Sequence, residues 1–144
     1  MWDIKKVIPN SKNPNTHSEE QIERLSNLIK FYGFRHPLIV SHQSGKLVVG
    51  HGRLLAAKRL KLKKVPVVVQ DFESEEIEYG FMVADNAISG WSELDLSSIN
   101  AELENLGPFD LDMLAIENFE LEPADRESKK RKARPCPECG YVSE

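Results

Sequence analysis

The sequence is poor in cysteine: its two, Cys136 and Cys139, sit three apart in "CPECG" near the end of 144 residues. That spacing suits a metal or redox pair better than a disulfide that staples a fold. No run approaches the roughly 18 to 20 apolar residues of a membrane span, and "MWDIKKVIPN" lacks the apolar core of a signal peptide. A cytoplasmic chain with no membrane partner is therefore expected. There is no internal repeat, and the length allows one domain with a real core plus a modest appendage, not a second full domain. Positive charge is missing from residues 65 to 125, which hold 16 Asp/Glu and no Lys/Arg. Residues 1 to 64, by contrast, hold 13 Lys/Arg against 4 Asp/Glu, and residues 126 to 144 hold 6 against 3, within a net charge of −4. Such an imbalance points the first half toward an anionic ligand, a nucleotide or nucleic acid. Mutual attraction between the two halves is the structural alternative.

What is present reads as alternating strands and helices. "DIKKVIP" alternates as an opening strand, and the polar loop "NSKNPNTH" follows. Ser18 is placed as an N-cap of a helix running to about Tyr32, with Ile22, Leu25, Leu28, Ile29 and Tyr32 on one face and Gly33 ending it. "FRHPLIVSH" and "LVVG" form a hairpin around "QSGK", a short helix runs from about Gly52 to Leu60, and "VPVVVQ" is a strand that Pro66 consigns to an edge. From Ser74 the pattern is helical. Ile77, Phe81, Ala84 and Ile88 make one apolar face, and Leu96, Ile99, Leu103 and Leu106 another beyond "SGW". "GPFD" interrupts the pattern, so "LDMLAI" is at most a last short helix. Apolar residues almost vanish after Leu121, and "EPADRESKKRKARP" reads as a solvated linker.

The strand-to-helix turn Gly50-His51-Gly52-Arg53 is the strongest chemical lead. A helix start offers unpartnered N–H groups, glycines let them approach an anion, and Arg53 in the first turn presents a fork for phosphate oxygens. A glycine turn with a surface His and Arg is the bland reading. His51 has three roles open to it: phosphate donor, general base, or cap of the turn. Asp85 beside Asn86 makes a carboxylate and amide pair that could hold Mg²⁺ between phosphate oxygens, or simply a polar helix end. Asn13 and His17 could contact a base or phosphate, against a loop held by Asx turns. Arg35 reads as a phosphate arm or an ordinary strand arginine. Trp91 is assigned to packing, and His36 and His42 to strand positions without a role.

The ordered run "NPNTHSEEQIERLSNLIKFYGFRHPLIVSHQSGKLVVGHGRLLAAKRLKLKKVPVVV" resembles the N-terminal domain of the ParB/sulfiredoxin superfamily, and the resemblance extends from about Ile4 to Trp91. It joins an Asn-Pro loop, a helix, a "G-x-x-x-P-L-x-V" strand, a hairpin, a "G-x-x-R" turn and a "VPV" strand. "ADNAISGW" resembles the segment in which an acid and an asparagine close over nucleotide phosphates. The resemblance implies a compact α/β (α+β) domain with a small mixed sheet over residues 1–90. A helical extension (91–121), a basic flexible linker (122–134) and a tail carrying the cysteine pair (135–144) follow. It also implies a CTP- or ATP-type nucleotide bound with Mg²⁺ through Gly50, His51, Gly52, Arg53, Arg35 and Asn86, with Asp85 on the metal and His51 and Asp85 as catalytic candidates. The glycine turn has no cysteine, which excludes sulfiredoxin repair. Partition proteins show "G-E-R-R" and "E-N-x-x-R" where this chain has "GHGR" and Asp85-Asn86-Ala87-Ile88-Ser89; the arginine replaced by Ser89 implies slow triphosphate hydrolysis. The residues after Trp91 are too few for the helix-turn-helix and dimerisation domains of partition proteins, so the short ParB-like type, found with phages, plasmids and DNA-modification enzymes and often labelled a nuclease, is expected.

The tail is the second lead. Cys136 and Cys139 could supply half of a tetrahedral zinc site, completed by a second subunit or by histidines. The basic residues Lys129, Lys130, Arg131, Lys132 and Arg134 could touch DNA phosphates, or form only a solvated run. The leading expectation is a nucleotide-binding module with a DNA-associated role, its partners being the nucleotide, DNA or a DNA-modifying enzyme, and a second copy in a homodimer. Two other classes stay open. One is an enzyme, a nuclease or a small-molecule kinase whose base would come from Glu19, Glu20, Asp71 or Asp85. The other is a non-catalytic adaptor working through the tail.

Overall fold

The computed structural model describes residues 1–108 and 110–116. Two units make up the chain, one built on Met1–Leu94 together with a turn beyond residue 110, the other containing the helix that follows Asp95. The first unit carries two small sheets and three α-helices.

Strand β1 (Trp2–Asp3) pairs antiparallel with β4 (Lys64–Val65), opposing Asp3 to Lys64. The expected opening strand is therefore cut short: Ile4–Lys6 turn into a 3-10 helix because the Asp3 carboxylate accepts the Lys5 N–H at 2.9 Å, capping a turn that alternation cannot signal. A three-stranded sheet runs β3 (Leu47–Val49), β2 (Leu38–Ser41), β5 (Val67–Gln70) in spatial order. β2 and β3 are an antiparallel hairpin with a register break between Ile39 and Val40; β2 and β5 are parallel, so the sheet is mixed. β5 is an edge, as Pro66 demands. Having no N–H to give, Pro66 separates β4 from β5 and still accepts the Leu38 N–H through its carbonyl at 2.9 Å.

Helix α1 (Glu19–Tyr32) starts where Ser18 Oγ accepts the Gln21 N–H at 3.1 Å and stops at Gly33, whose φ of 81° a side chain would resist. α2 (His51–Arg59) begins within a residue of the expected start. Val7, Leu38, Val40, Leu47, Leu54, Ala57 and Val65 form the core, with Trp2, Ile4, Phe34, Leu62 and Val67 packed around it. Each large aliphatic buried this way contributes about 1.5 to 3 kcal/mol, and together they fix β2, β3 and α2 in register at the glycine turn.

Helix α3 (Glu75–Ser89) departs from expectation. The apolar face drawn through Ile77, Phe81, Ala84 and Ile88 is the outer one: Ile77 is 54% and Ile88 59% exposed, and Phe81 lies against the Phe72 ring at 5.6 Å between centroids. Met82 and Glu78 are buried instead, and Asp85 and Asn86 half-buried on the same side. Periodicity locates an apolar stripe but cannot say which stripe the sheet takes, and here the inward face carries polar groups. Trp91, expected to pack, is 78% exposed.

After α3, "LDMLAI" yields a 3-10 helix at Leu111–Leu114, and the Tyr32 hydroxyl donates to the Met113 carbonyl at 3.2 Å. In the second unit, α4 (Leu96–Leu106) is capped by Asp95, which accepts the Ser98 N–H at 3.1 Å. Among the described residues no helix is long and apolar enough to cross a membrane. Cys136, Cys139, Lys129, Lys130, Arg131, Lys132 and Arg134 lie outside the described residues.

Candidate nucleotide-binding cleft

At the mouth of α2 the backbone is shaped by two glycines with different duties. Gly50, the residue before the helix, has φ 103° and ψ 28°, and a Cβ there would sit 2.7 Å from Leu38 Cδ2. Both the conformation and the closeness to β2 require glycine. Gly52 is buried beneath the loop: a Cβ would meet His17 Cε1 at 3.0 Å and Leu25 Cδ1 at 3.1 Å. With glycine as N-cap, no side chain bonds to the first turn of α2. The first intrahelical bond runs from the Leu54 N–H to the Gly50 carbonyl at 2.9 Å, so the N–H groups of residues 51 to 53 precede the helical ladder at its positive end.

Around this turn lies a cleft of about 450 Å³, within the usual size of small-ligand sites. Gly50, His51, Gly52 and Arg53 line it from below, Asn13, Asn15 and His17 from the loop before α1, His36 from the approach to β2, and Asp85, Asn86 and Ser89 from α3. Six of the predicted residues thus converge, together with Asn13 and His17. Arg35 is not among them: it is exposed, and its Nε donates to the Tyr32 carbonyl at the end of α1. A second depression of similar size, about 480 Å³, is lined by Lys12, Glu75, Glu76 and Tyr79 and has no comparable set of N–H donors.

The side chains are held in defined states. The Asn10 backbone N–H donates to His51 Nε2 at 3.3 Å, a bond spanning 41 residues. Since a backbone N–H can only donate, Nε2 is unprotonated and Nδ1 carries the hydrogen. Burial first, and the neighbouring His17 second, hold His51 below the ordinary imidazole range. Arg53 Nη1 donates to the His36 carbonyl at 3.0 Å. Burial lowers its guanidinium while the Asp85 carboxylate opposes that shift, so it stays charged beside a counter-ion. Asn86 Nδ2 donates to the Met82 carbonyl at 2.7 Å, leaving its amide oxygen as the acceptor toward the cleft. Ser89 donates to the Asp85 carbonyl at 2.9 Å. His17 Nδ1 is 2.9 Å from Gln21 Oε1, and Asn13 closes on Asn15 through both ends of its amide, the local turn that competes with ligand contact.

The four carboxylates considered as a kinase base separate clearly. Glu19 bonds Arg59 at 3.1 Å, Glu20 bonds Arg24 at 3.0 Å and Asp71 bonds His42 at 2.9 Å, all outside the cleft, whereas Asp85 lines it. No group of three His, Cys, Asp or Glu side chains suited to a metal exists among the described residues. Sequence reasoning gave His36 no role; its carbonyl as the seat of Arg53 depends on backbone placement, which residue type does not report.

A small mixed-sheet domain with an uncapped, glycine-lined helix start is the class of protein this architecture defines. Residues 1–85 match the ParB N-terminal domain, and the chain belongs to that family. It is 38% identical over 66 residues to the ParB-like nuclease domain-containing protein YnaK of Escherichia coli, covering 46% of this chain and 75% of that protein. The probable chromosome-partitioning protein ParB of Helicobacter pylori is 29% identical over 103 residues, covering 69% of this chain and 36% of that one; the nucleoid occlusion protein of Listeria innocua is 29% identical over 76 residues, covering 50% and 27%. Among solved structures, the C-terminally truncated ParB of Caulobacter crescentus complexed with CTP-γ-S superposes with a TM-score of 0.61 at 26% identity, over 72% of this chain and 59% of that one. The chain thus spans only part of the length of the partitioning and occlusion proteins.

Proposed function

We propose that this chain is a nucleotide-binding module of a DNA-associated system, taking a nucleoside triphosphate with its phosphates on the α2 N-terminus. The observation that carries the reading is the turn itself: Gly50 in a left-handed conformation, no side-chain cap, and Arg53 beside it in a cleft of about 450 Å³. The fold likeness to a ParB bound to CTP-γ-S supports a triphosphate, and the kinship to chromosome-partitioning and nucleoid occlusion proteins supports the DNA setting. His51 acts as a neutral donor through Nδ1; the lone pair a general base would use at Nε2 is occupied by Asn10. Mg²⁺ would be held by Asp85, with the Asn86 oxygen beside it, and would neutralise phosphate charge. Hydrolysis, where the E-N-x-x-R arginine is Ser89, is slow, so the nucleotide acts as a regulatory ligand rather than a fuel.

Calorimetric titration with CTP, ATP, GTP and ADP in Mg²⁺ tests this. Saturable binding is expected, weakened at least about tenfold by Arg53→Ala and made independent of Mg²⁺ by Asp85→Ala. Failure of all four nucleotides to bind would reduce the turn to a structural corner.

A further inference from the structure

At the other end of α2, roughly 12 Å from the glycine turn at helical rise, the chain gathers positive charge that the cleft does not use. Lys58 closes the last turn of α2, and Lys61, Lys63 and Lys64 follow it into β4. The β1–β4 ribbon brings Lys5 and Lys6 alongside: Asp3 opposes Lys64, and the Ile4 N–H donates to the Lys63 carbonyl at 3.0 Å. All six lysines are exposed, and none appears in an ion pair among the described residues, whereas Arg59, on the same helix, is tied to Glu19 and Glu23. Helix-dipole complementation explains Lys58 at the end of α2; it does not explain the other five lysines on and beside the ribbon.

Lys61 adds a second observation. The helix ends with the Leu62 N–H on the Ala57 carbonyl and the Lys61 N–H on Lys58, both at 3.0 Å, which puts Lys61 at φ 55°. That position favours glycine, and a side chain there is disfavoured by about 1 kcal/mol. A lysine held against local preference between Lys58 and Lys63 is the sort of outlier from which function is inferred.

We propose that the ribbon and the end of α2 form a docking surface for the phosphate backbone of duplex DNA, separate from the nucleotide cleft and additional to any contact by the basic tail. Charge complementarity selects a polyanion, and kinship to chromosome-partitioning and nucleoid occlusion proteins selects DNA among polyanions. The choice of DNA rests on the DNA-associated setting proposed above; it does not depend on nucleotide binding.

The test measures affinity of the full chain for a random-sequence duplex across a salt series. The comparison is with Lys61→Glu/Lys63→Glu/Lys64→Glu, with the milder Gln triple at the same positions, and with Lys129→Ala/Lys130→Ala/Arg131→Ala/Lys132→Ala in the tail. Loss of about tenfold or more in the Glu triple, a smaller loss in the Gln triple, and a salt slope shallower by roughly 3 are expected, with nucleotide titration unchanged in both and the thermal midpoint unchanged in the Gln triple, which sets no like charge opposite Asp3. Wild-type affinity and slope in both triples, or a loss confined to the tail variant, would overturn the proposal. So would stronger retention on single-stranded RNA or anionic phospholipid vesicles than on the duplex. Nucleotide titration of the same samples reports on the cleft separately, so the two readings fail independently.

Discussion

His17 lies against the backbone of Gly52, so that a Cβ on that glycine would sit 3.0 Å from His17 Cε1 and 3.2 Å from Nδ1. The loop before α1 and the first turn of α2 are thereby seated on one another at the point where an anion would enter. His17 is held from behind by Gln21 at 2.9 Å and so cannot swing aside freely.

Gly52→Ala is the direct test of that seating. Its helical position tolerates alanine, and in an open helix the change would stabilise. Here the methyl must displace His17 and Leu25 by a few tenths of an ångström, a small overpacking that costs about 1 to 3 kcal/mol. The expected outcome is a lower thermal midpoint together with weaker nucleotide binding, read by differential scanning calorimetry and titration. An unchanged or raised midpoint would show that the loop yields easily.

His51 makes the fold sensitive to acid. Its value is lowered from 6.5 by burial and then by His17. The unfolded chain therefore binds the extra proton first. Stability from this residue is complete above about pH 6.5 and is lost as pH falls through the lower folded value. The thermal midpoint should drop on acidification from pH 7 to pH 5, and less so in His51→Gln, whose amide oxygen can still accept the Asn10 N–H. Parallel curves for the two proteins would assign the acid sensitivity elsewhere.

Much of this site was legible in the sequence because the turn is a local device. Gly50, Gly52 and Arg53 sit within four residues, and the strand, glycine and helix signals around them agree. Ser18 and Gly33 likewise act through their own backbone and bound α1 where expected, whereas Pro66, expected inside a single edge strand, divides that run into β4 and β5. Tertiary choices were not legible. The Asp3 cap replaced a strand by a 3-10 turn, and α3 turned its polar side inward because Glu78, Met82, Asp85 and Asn86 meet the hairpin and cleft. Arg35 fell outside the cleft because its Nε donates back to the Tyr32 carbonyl, which holds the side chain at the end of α1.

Glu78 is the buried group that this inversion of α3 leaves most exposed to test. It is 5% accessible; Oε1 accepts the Ser44 hydroxyl at 2.9 Å, and Oε2 has no partner among the described residues. Ser44 in turn accepts the Lys46 N–H at 3.2 Å, so one hydroxyl joins the hairpin to the helix that carries Asp85 and Asn86. Removing the donor leaves a buried carboxylate without the hydrogen bond seen here, a loss of about 1 to 3 kcal/mol. Ser44→Ala should therefore destabilise more than Glu78→Gln, which retains an acceptor and discards the charge. In the double variant the two effects should fall short of additive, since both act on the same contact: losing the Ser44 donor costs less once the side chain it serves carries no charge. Urea unfolding of the four proteins decides the matter: additive losses would mean that the Ser44 to Glu78 bond is incidental to how α3 is held against the hairpin.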